Sequence, residues 1–181
     1  RSAAGTAQSV GQAFAIGVQA AIAHLTRNRY SDSLCAVAVS EDTGNHPRQM
    51  QCTLSAGQVL QGHKSFVTLG QSARVLLVLA RDSKGVLRMA VLLREQPGVQ
   101  VRPLPALDFV PDLPHARLEF QGAHVCEVLV GDGYSDFAKP FRVYEDLYAR
   151  LTVCELGRKL VAAAGLEAPA NLLSARAGLA N

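Results

Sequence analysis

Apolar residues recur at helical spacing over residues 8–25, where Val10, Phe14, Val18, Ala21, Ile22 and Leu25 share one stripe. Ser9 stands where an N-cap is expected. The opposite face carries Ala and Gln rather than charge, and such a face packs on another helix or a subunit. After Asn28 the period changes. Residues 34–39 form a short continuous apolar run, the mark of a buried strand. Residues 49–55 alternate, with Met50, Cys52 and Leu54 on one side. Ser55-Ala56-Gly57 turns the chain, and residues 59–62 return as the hairpin partner. A short extended piece at 66–68 ends at Gly70. Residues 74–80 are the most apolar strand, and 86–93 pair back after a turn at 82–85 in which Gly85 can take positive φ. A turn at 96–98 leads to a strand at 99–102. Residues 103–114 hold four prolines and read as a loop. Residues 115–120 alternate, with Ala116, Leu118 and Phe120 inward and His115, Arg117 and Glu119 outward. Gln121-Gly122 is a turn before a last strand at 125–129.

That pattern predicts eight or nine short strands joined mostly by hairpin-sized turns, hence an antiparallel β-barrel or two packed sheets. Helical spacing returns after Gly133. Pro140 suits a first helical turn, and Tyr144, Leu147, Tyr148, Leu151 and Cys154 mark one face of a helix running to about Ala164, with Gly165 as its stop. Residues 169–179 predict one further short helix. The expected architecture is α+β: a helical segment over 1–30, a β domain over 31–133 and a helical segment over 134–181. No internal repeat or low-complexity tract interrupts it.

Composition narrows the function classes. Of 181 residues, 49% are hydrophobic and 18% charged, which favours a buried core over disorder. Trp is absent and aromatics are 6%, so the core must be mostly Val, Leu and Ala. A net charge of +3, with Arg27, Arg48, Lys64, Arg74 and Arg81 scattered as a solvated surface, argues against nucleic acid. Cys35, Cys52, Cys126 and Cys154 form no CxxC pair, so no zinc site is expected. They read as reduced thiols of a cytoplasmic protein, with Cys35, Cys52 and Cys126 as small core hydrophobes. No signal peptide is visible, and no apolar run reaches the roughly 20 residues of a membrane span. Dinucleotide, P-loop and nucleophile-elbow motifs are absent, and the five histidines show no metal-ligand spacing.

Three segments of the predicted β block, and a fourth stretch after it, carry a resemblance. The first strand leads into Val39-Ser40-Glu41-Asp42-Thr43-Gly44-Asn45-His46-Pro47. Next comes Gly62-His63-Lys64-Ser65-Phe66-Val67-Thr68, then Ala73-Arg74-Val75-Leu76-Leu77-Val78. In order and spacing they resemble the Thr-Glu-Pro-x-x-Gly-Ser-Asp loop, the Gly-x-Lys-x-Trp-Ile-Thr segment and the Ala-Asp-x-x-Leu-Val strand of the acyl-CoA dehydrogenase middle domain. Residues 131–134 and 139–142, Gly-Asp-Gly-Tyr and Lys-Pro-Phe-Arg, resemble that domain's exit into the C-terminal helices. The likeness covers about residues 10–160.

The resemblance implies FAD, with Ser40, Glu41, Phe66, Val67 and Thr68 as the cofactor-binding candidates. Ser40 keeps the hydroxyl of the loop threonine, Phe66 replaces the tryptophan over the flavin ring with a smaller flat surface, and Thr68 keeps the flavin-bonding hydroxyl. Gly44-Asn45-His46 departs from Gly-Ser-Asp and puts a phosphate contact there in doubt. The family's catalytic base lies on a C-terminal helical domain that some 40 residues after Arg142 cannot build. Glu145, Asp146 and Glu155 read as surface helix carboxylates, and no catalytic residue is assigned. The implied function is an oxidoreductase of acyl thioesters in fatty-acid metabolism, incomplete or dependent on a partner. Two alternatives remain: a binding or association module that keeps the fold without FAD, and a flavin-free barrel unrelated to the family. Apolar positions on both helices predict a homodimer or larger assembly.

Overall fold

The structure is a computed structural model and describes residues 7–44 and 46–167. The predicted helix at 169–179 lies outside them. Helix α1, Val10–Leu25, starts where Ser9 accepts a hydrogen bond from the Gln12 amide. It ends as the amides of Arg27 and Asn28 turn back onto the carbonyls of His24 and Ala23. Eight strands follow: β1 (Cys35–Ala38), β2 (Thr53–Leu54), β3 (Val59–Thr68), β4 (Val75–Asp82), β5 (Leu87–Leu93), β6 (Val99–Pro103), β7 (His115–His124) and β8 (Glu127–Val128). A π-helical turn, Gly133–Ala138, leads into α2, Lys139–Ala163.

The strands form one sheet in the order β6-β7-β3-β2-β4-β5-β8, with β1 also on β4. The architecture is α+β with a mixed sheet, and the antiparallel expectation fails at one strand. β4 runs parallel to both β1 and β2, which share one of its edges. The cause is the connection: after β3 the chain leaves through Leu69, at φ 63°, and residues 70–74 instead of a hairpin, and returns alongside β1. Sequence spacing registers that a strand follows but not which way it points. Nor does the sheet close into a barrel among the described residues, since β6 and β8 are not joined.

The strands make one sheet where two packed sheets were the other expectation, and that sheet folds over itself. Leu76, Val78 and Ala80 of β4 and Ala90 and Leu92 of β5 pack with Leu60 and Val67 of β3 and Ala116, Leu118 and Phe120 of β7. The opposite side of β4, carrying Val75, Leu77 and Leu79, packs under Val18 and Ile22 of α1 and Phe141 of α2. Both faces of β4 are therefore buried, which is why it is the most apolar run.

Two expected strands and one expected turn differ. Residues 59–62 and 66–68 are one strand, β3, whose ladder with β7 shifts register twice. Gln121-Gly122 sits inside β7 at one of those irregularities instead of ending the strand. The strand expected over 49–55 shortens to β2, because Pro47–Gln49 forms a 3₁₀ turn, yet Met50, Cys52 and Leu54 are buried as expected. Gly85 closes the β4–β5 hairpin at φ 82°.

The buried face of α2 is Phe141, Ala149, Thr152 and Leu156, offset from the expected tyrosine–leucine stripe. Tyr144 and Tyr148 are half-buried against His24, whose Nδ1 lies 2.8 Å from the Tyr148 hydroxyl. The helix ends in paired bonds, Gly165 amide to Ala162 carbonyl and Leu166 amide to Val161 carbonyl. No helix among the described residues is long and apolar enough to cross a membrane. No group of His, Cys, Asp or Glu among them is arranged to hold a metal.

Candidate functional site

A cavity of about 400 Å³ lies between the two helices and the β3–β7 face of the sheet. Its apolar wall comes from Phe14 and Val18 of α1, Val37 and Val39 of the first strand region, Leu107, Val110 and Leu113 of the proline-rich loop, and Phe141 of α2. Its polar groups are Ser40, Thr68, His115, Arg142 and Glu145. Phe66 and Phe109 stand at the rim, 44% and 76% exposed.

Three of the sequence candidates meet here. Ser40 ends the first strand region, and Phe66 and Thr68 sit two apart on β3, so the period of the strand turns both to one face. The β3–β7 ladder puts Thr68 opposite His115. Backbone bonding ties the two segments together, the Ser65 amide donating to the Ser40 carbonyl at 2.9 Å. Among the described residues neither the Ser40 nor the Thr68 hydroxyl makes a hydrogen bond.

The other two candidates face elsewhere. Val67, between Phe66 and Thr68, points into the folded interior of the sheet with no exposed surface. Glu41 is buried, and its carboxylate accepts from the Gln51 amide at 2.7 Å, the Cys52 amide at 3.1 Å and the Lys64 ammonium at 2.8 Å. Its side chain holds the loop in place and does not reach the cavity.

Lys64 corrects the reading of the basic residues as a solvated surface. It has no exposed area, and its ammonium also donates to the Val39 carbonyl at 3.0 Å. Burial by itself raises the pKa of Glu41, but the Lys64 ammonium and the two amides outweigh it and hold the carboxyl below its ordinary value. The inward alternation of Leu60, Lys64 and Val67 was the available signal, obscured by the two bulges.

Two further wall residues escaped the sequence reading. His115, expected outward, is 4% exposed, because the cavity elements cover that face of β7. Its ring lies 4.4 Å from that of Phe66 at 31°. Burial lowers its pKa, opposed by the Leu113 carbonyl. Glu145, read as a surface carboxylate, lines the cavity, and burial raises its pKa, with Arg142 opposing and Asp146 reinforcing. Asp146 does face solvent and binds Arg150 at 2.9 Å. His46 caps the 3₁₀ turn, its Nδ1 accepting from the Arg48 amide at 3.2 Å. The neighbouring Asp42 pairs with both terminal nitrogens of Arg117 at 2.8 and 3.0 Å, pinning the loop to β7.

The four cysteines are free. Cys35 and Cys52 are buried, each with its thiol pKa pushed up to about 11 by burial, whereas Cys126 is exposed and not the core residue expected.

No protein-family model and no curated protein sequence matches the chain. Solved structures do match its fold, acyl-CoA dehydrogenases and other flavoproteins among them. A glutaryl-CoA dehydrogenase from Mycobacterium smegmatis in complex with FADH2 superposes with TM-score 0.64 at 16% identity, over 82% of this chain and 45% of that one. The butyryl-CoA dehydrogenase of Megasphaera elsdenii gives 0.62 at 17%, over 82% and 45%. PigA with FAD and proline gives 0.65 at 16%, over 83% and 45%. The resemblance read from the sequence thus holds for the fold, and the chain spans about 45% of the length of these structures.

Proposed function

We propose that this chain is the β-sheet unit, with two adjoining helices, of an acyl-CoA dehydrogenase-like flavoprotein. Its cavity receives the isoalloxazine ring of FAD at Ser40, Phe66 and Thr68. The observation that carries this reading is the meeting of those three side chains, 28 positions apart from first to last (68 − 40), on one wall. The donor set fits the group. Two uncommitted hydroxyls and a flat phenyl ring suit a planar, apolar heterocycle with polar edges. Val67 contributes through its backbone and Glu41 by shaping the loop.

FAD, when bound, supplies the two-electron acceptor for oxidising an acyl thioester at its Cα–Cβ bond. The chain's own residues bind and orient. Ser40 and Thr68 would hold the ring edge through their hydroxyls, and Phe66 would offer it a flat apolar surface. Phe14, Val18, Val37 and Phe141 exclude water from the space beside it, which strengthens every polar contact there. The chain spans about 45% of the matched structures, and the base that takes the α-proton and the rest of the acyl pocket are supplied from outside the residues described, by further chain or by a subunit. Exposed Val143, Leu160 and Leu166 on and after α2 suit burial in a homodimer or larger assembly. Four free thiols suit the reducing cytoplasm.

The test is the absorption spectrum of the purified chain, then titration with FAD. A visible flavin band or saturable quenching of flavin fluorescence is expected, and S40A and T68V each weaken binding by about 3- to 15-fold, the worth of one hydrogen bond. A colourless chain that refuses added FAD eliminates the cofactor and leaves an association module on the same fold. Bleaching of the flavin by a saturated acyl-CoA, abolished by E145Q, would move the base into this chain.

A further inference from the structure

We propose that His115 is a ligand-positioning residue of the cavity, holding Phe66 from behind and hydrogen-bonding the polar edge of the planar heteroaromatic ring bound there. The inference rests on the flavin reading above and adds a residue that the sequence resemblance did not supply.

Position comes first. His115 opens β7 and is register partner to Thr68, so the two side chains leave the ladder on the same face. Phe66 shares that face, two residues from Thr68. The three make a small cluster on one cavity wall, with the imidazole 4.4 Å from the phenyl ring. Phe66 is 44% exposed while His115 is 4% exposed, so the imidazole is the covered member that fixes the plane of the exposed one.

Chemistry comes second. Nδ1 of His115 is buried and makes no hydrogen bond of ordinary geometry. Folded proteins leave few buried polar atoms unpaired, because such an atom has given up water for nothing. Phe66, Val110, Leu113 and Phe141 share the wall, and a phenylalanine or leucine at 115 would suit such neighbours better for stability alone. A polar group kept against stability in a cavity marks a place where a ligand completes the bonding. Burial works against the charged imidazole, with the Leu113 carbonyl opposing it, and the neutral ring offers one N–H to donate and one nitrogen to accept. A heteroaromatic edge that alternates carbonyl and N–H groups, as the pyrimidine end of isoalloxazine does, matches that pair. An acyl chain does not.

The experiment compares riboflavin and FAD binding to the full chain and to its H115F, H115M and H115Q variants by fluorescence quenching, alongside thermal unfolding without ligand. H115F keeps the ring and removes the nitrogens. Its affinity for both flavins is expected to fall about tenfold. Its ligand-free Tm is expected to hold or rise by about 2–4 °C, as an unpaired polar atom is removed. H115Q restores a donor and an acceptor and recovers part of the loss. Should H115F not fold, H115M carries the same comparison. Equal flavin affinity of H115F and the unaltered chain overturns this inference and leaves the flavin reading standing. A parallel loss of Tm and affinity, without recovery in H115Q, also overturns it, since that is a purely structural histidine. An unaltered chain that binds neither flavin overturns both.

Discussion

A lysine without exposed surface must be neutralised where it sits, and Lys64 is, by Glu41 at 2.8 Å with Val39 and two backbone amides completing the network. Removing one partner leaves the other charge buried and unpaired. K64M is therefore expected to lose about 3–5 kcal/mol in urea unfolding, while the double variant E41L/K64M loses clearly less. The pH dependence has a definite sign. The folded pKa of Glu41 lies below its ordinary 4.5, so its contribution is fully present above 4.5 and is lost as pH falls through the folded value. The unaltered chain should lose stability below pH 4.5 more steeply than E41L/K64M, and equal slopes would remove the pair from the account. At this scale the sequence was half legible. Ser40, Phe66 and Thr68 stood out because a motif order selects residue types. Lys64, His115 and Glu145 did not, because a charged or polar letter looks the same whether a wall covers it or not.

The helices show how packing chooses a face. Gly17 of α1 lies so close to α2 that a Cβ there would sit 2.6 Å from the backbone of Ala149. The contact side of α1 is thus the small-residue edge of its apolar stripe, where Gly17 lies next to the buried Ala13 and Ala21, and α2 sets Ala149 against it in preference to its larger residues. G17V forces the helices apart. A loss of about 1–3 kcal/mol in denaturant unfolding is expected, with the cavity opened and flavin affinity reduced. Stability equal to the unaltered chain would show the crossing to be loose. The face of α2 was misplaced from sequence because bulk, the quantity that periodicity weighs, is not what a close crossing selects.

For the whole molecule, β4 is the organising strand. It is flanked by β1 and β2 on one edge and β5 on the other, and both its faces are covered. Amide exchange should be slowest in β4 and its β5 partner residues and fastest in β6 and β8, the edges of the sheet. Protection as high in β6 as in β4 would point to a second molecule pairing on that edge. Where most of the strands fall, that the chain is α+β and that helices bracket a sheet were decided by the amino-acid order, since period, turn residues and caps act over a few neighbours. The parallel setting of β1 and β2 on β4, the open edges, the burial of Lys64 and His115 and the cavity itself depend on contacts between distant segments. Those contacts come into being only when the sheet folds over and the two helices close against it, so only the tertiary structure could decide them.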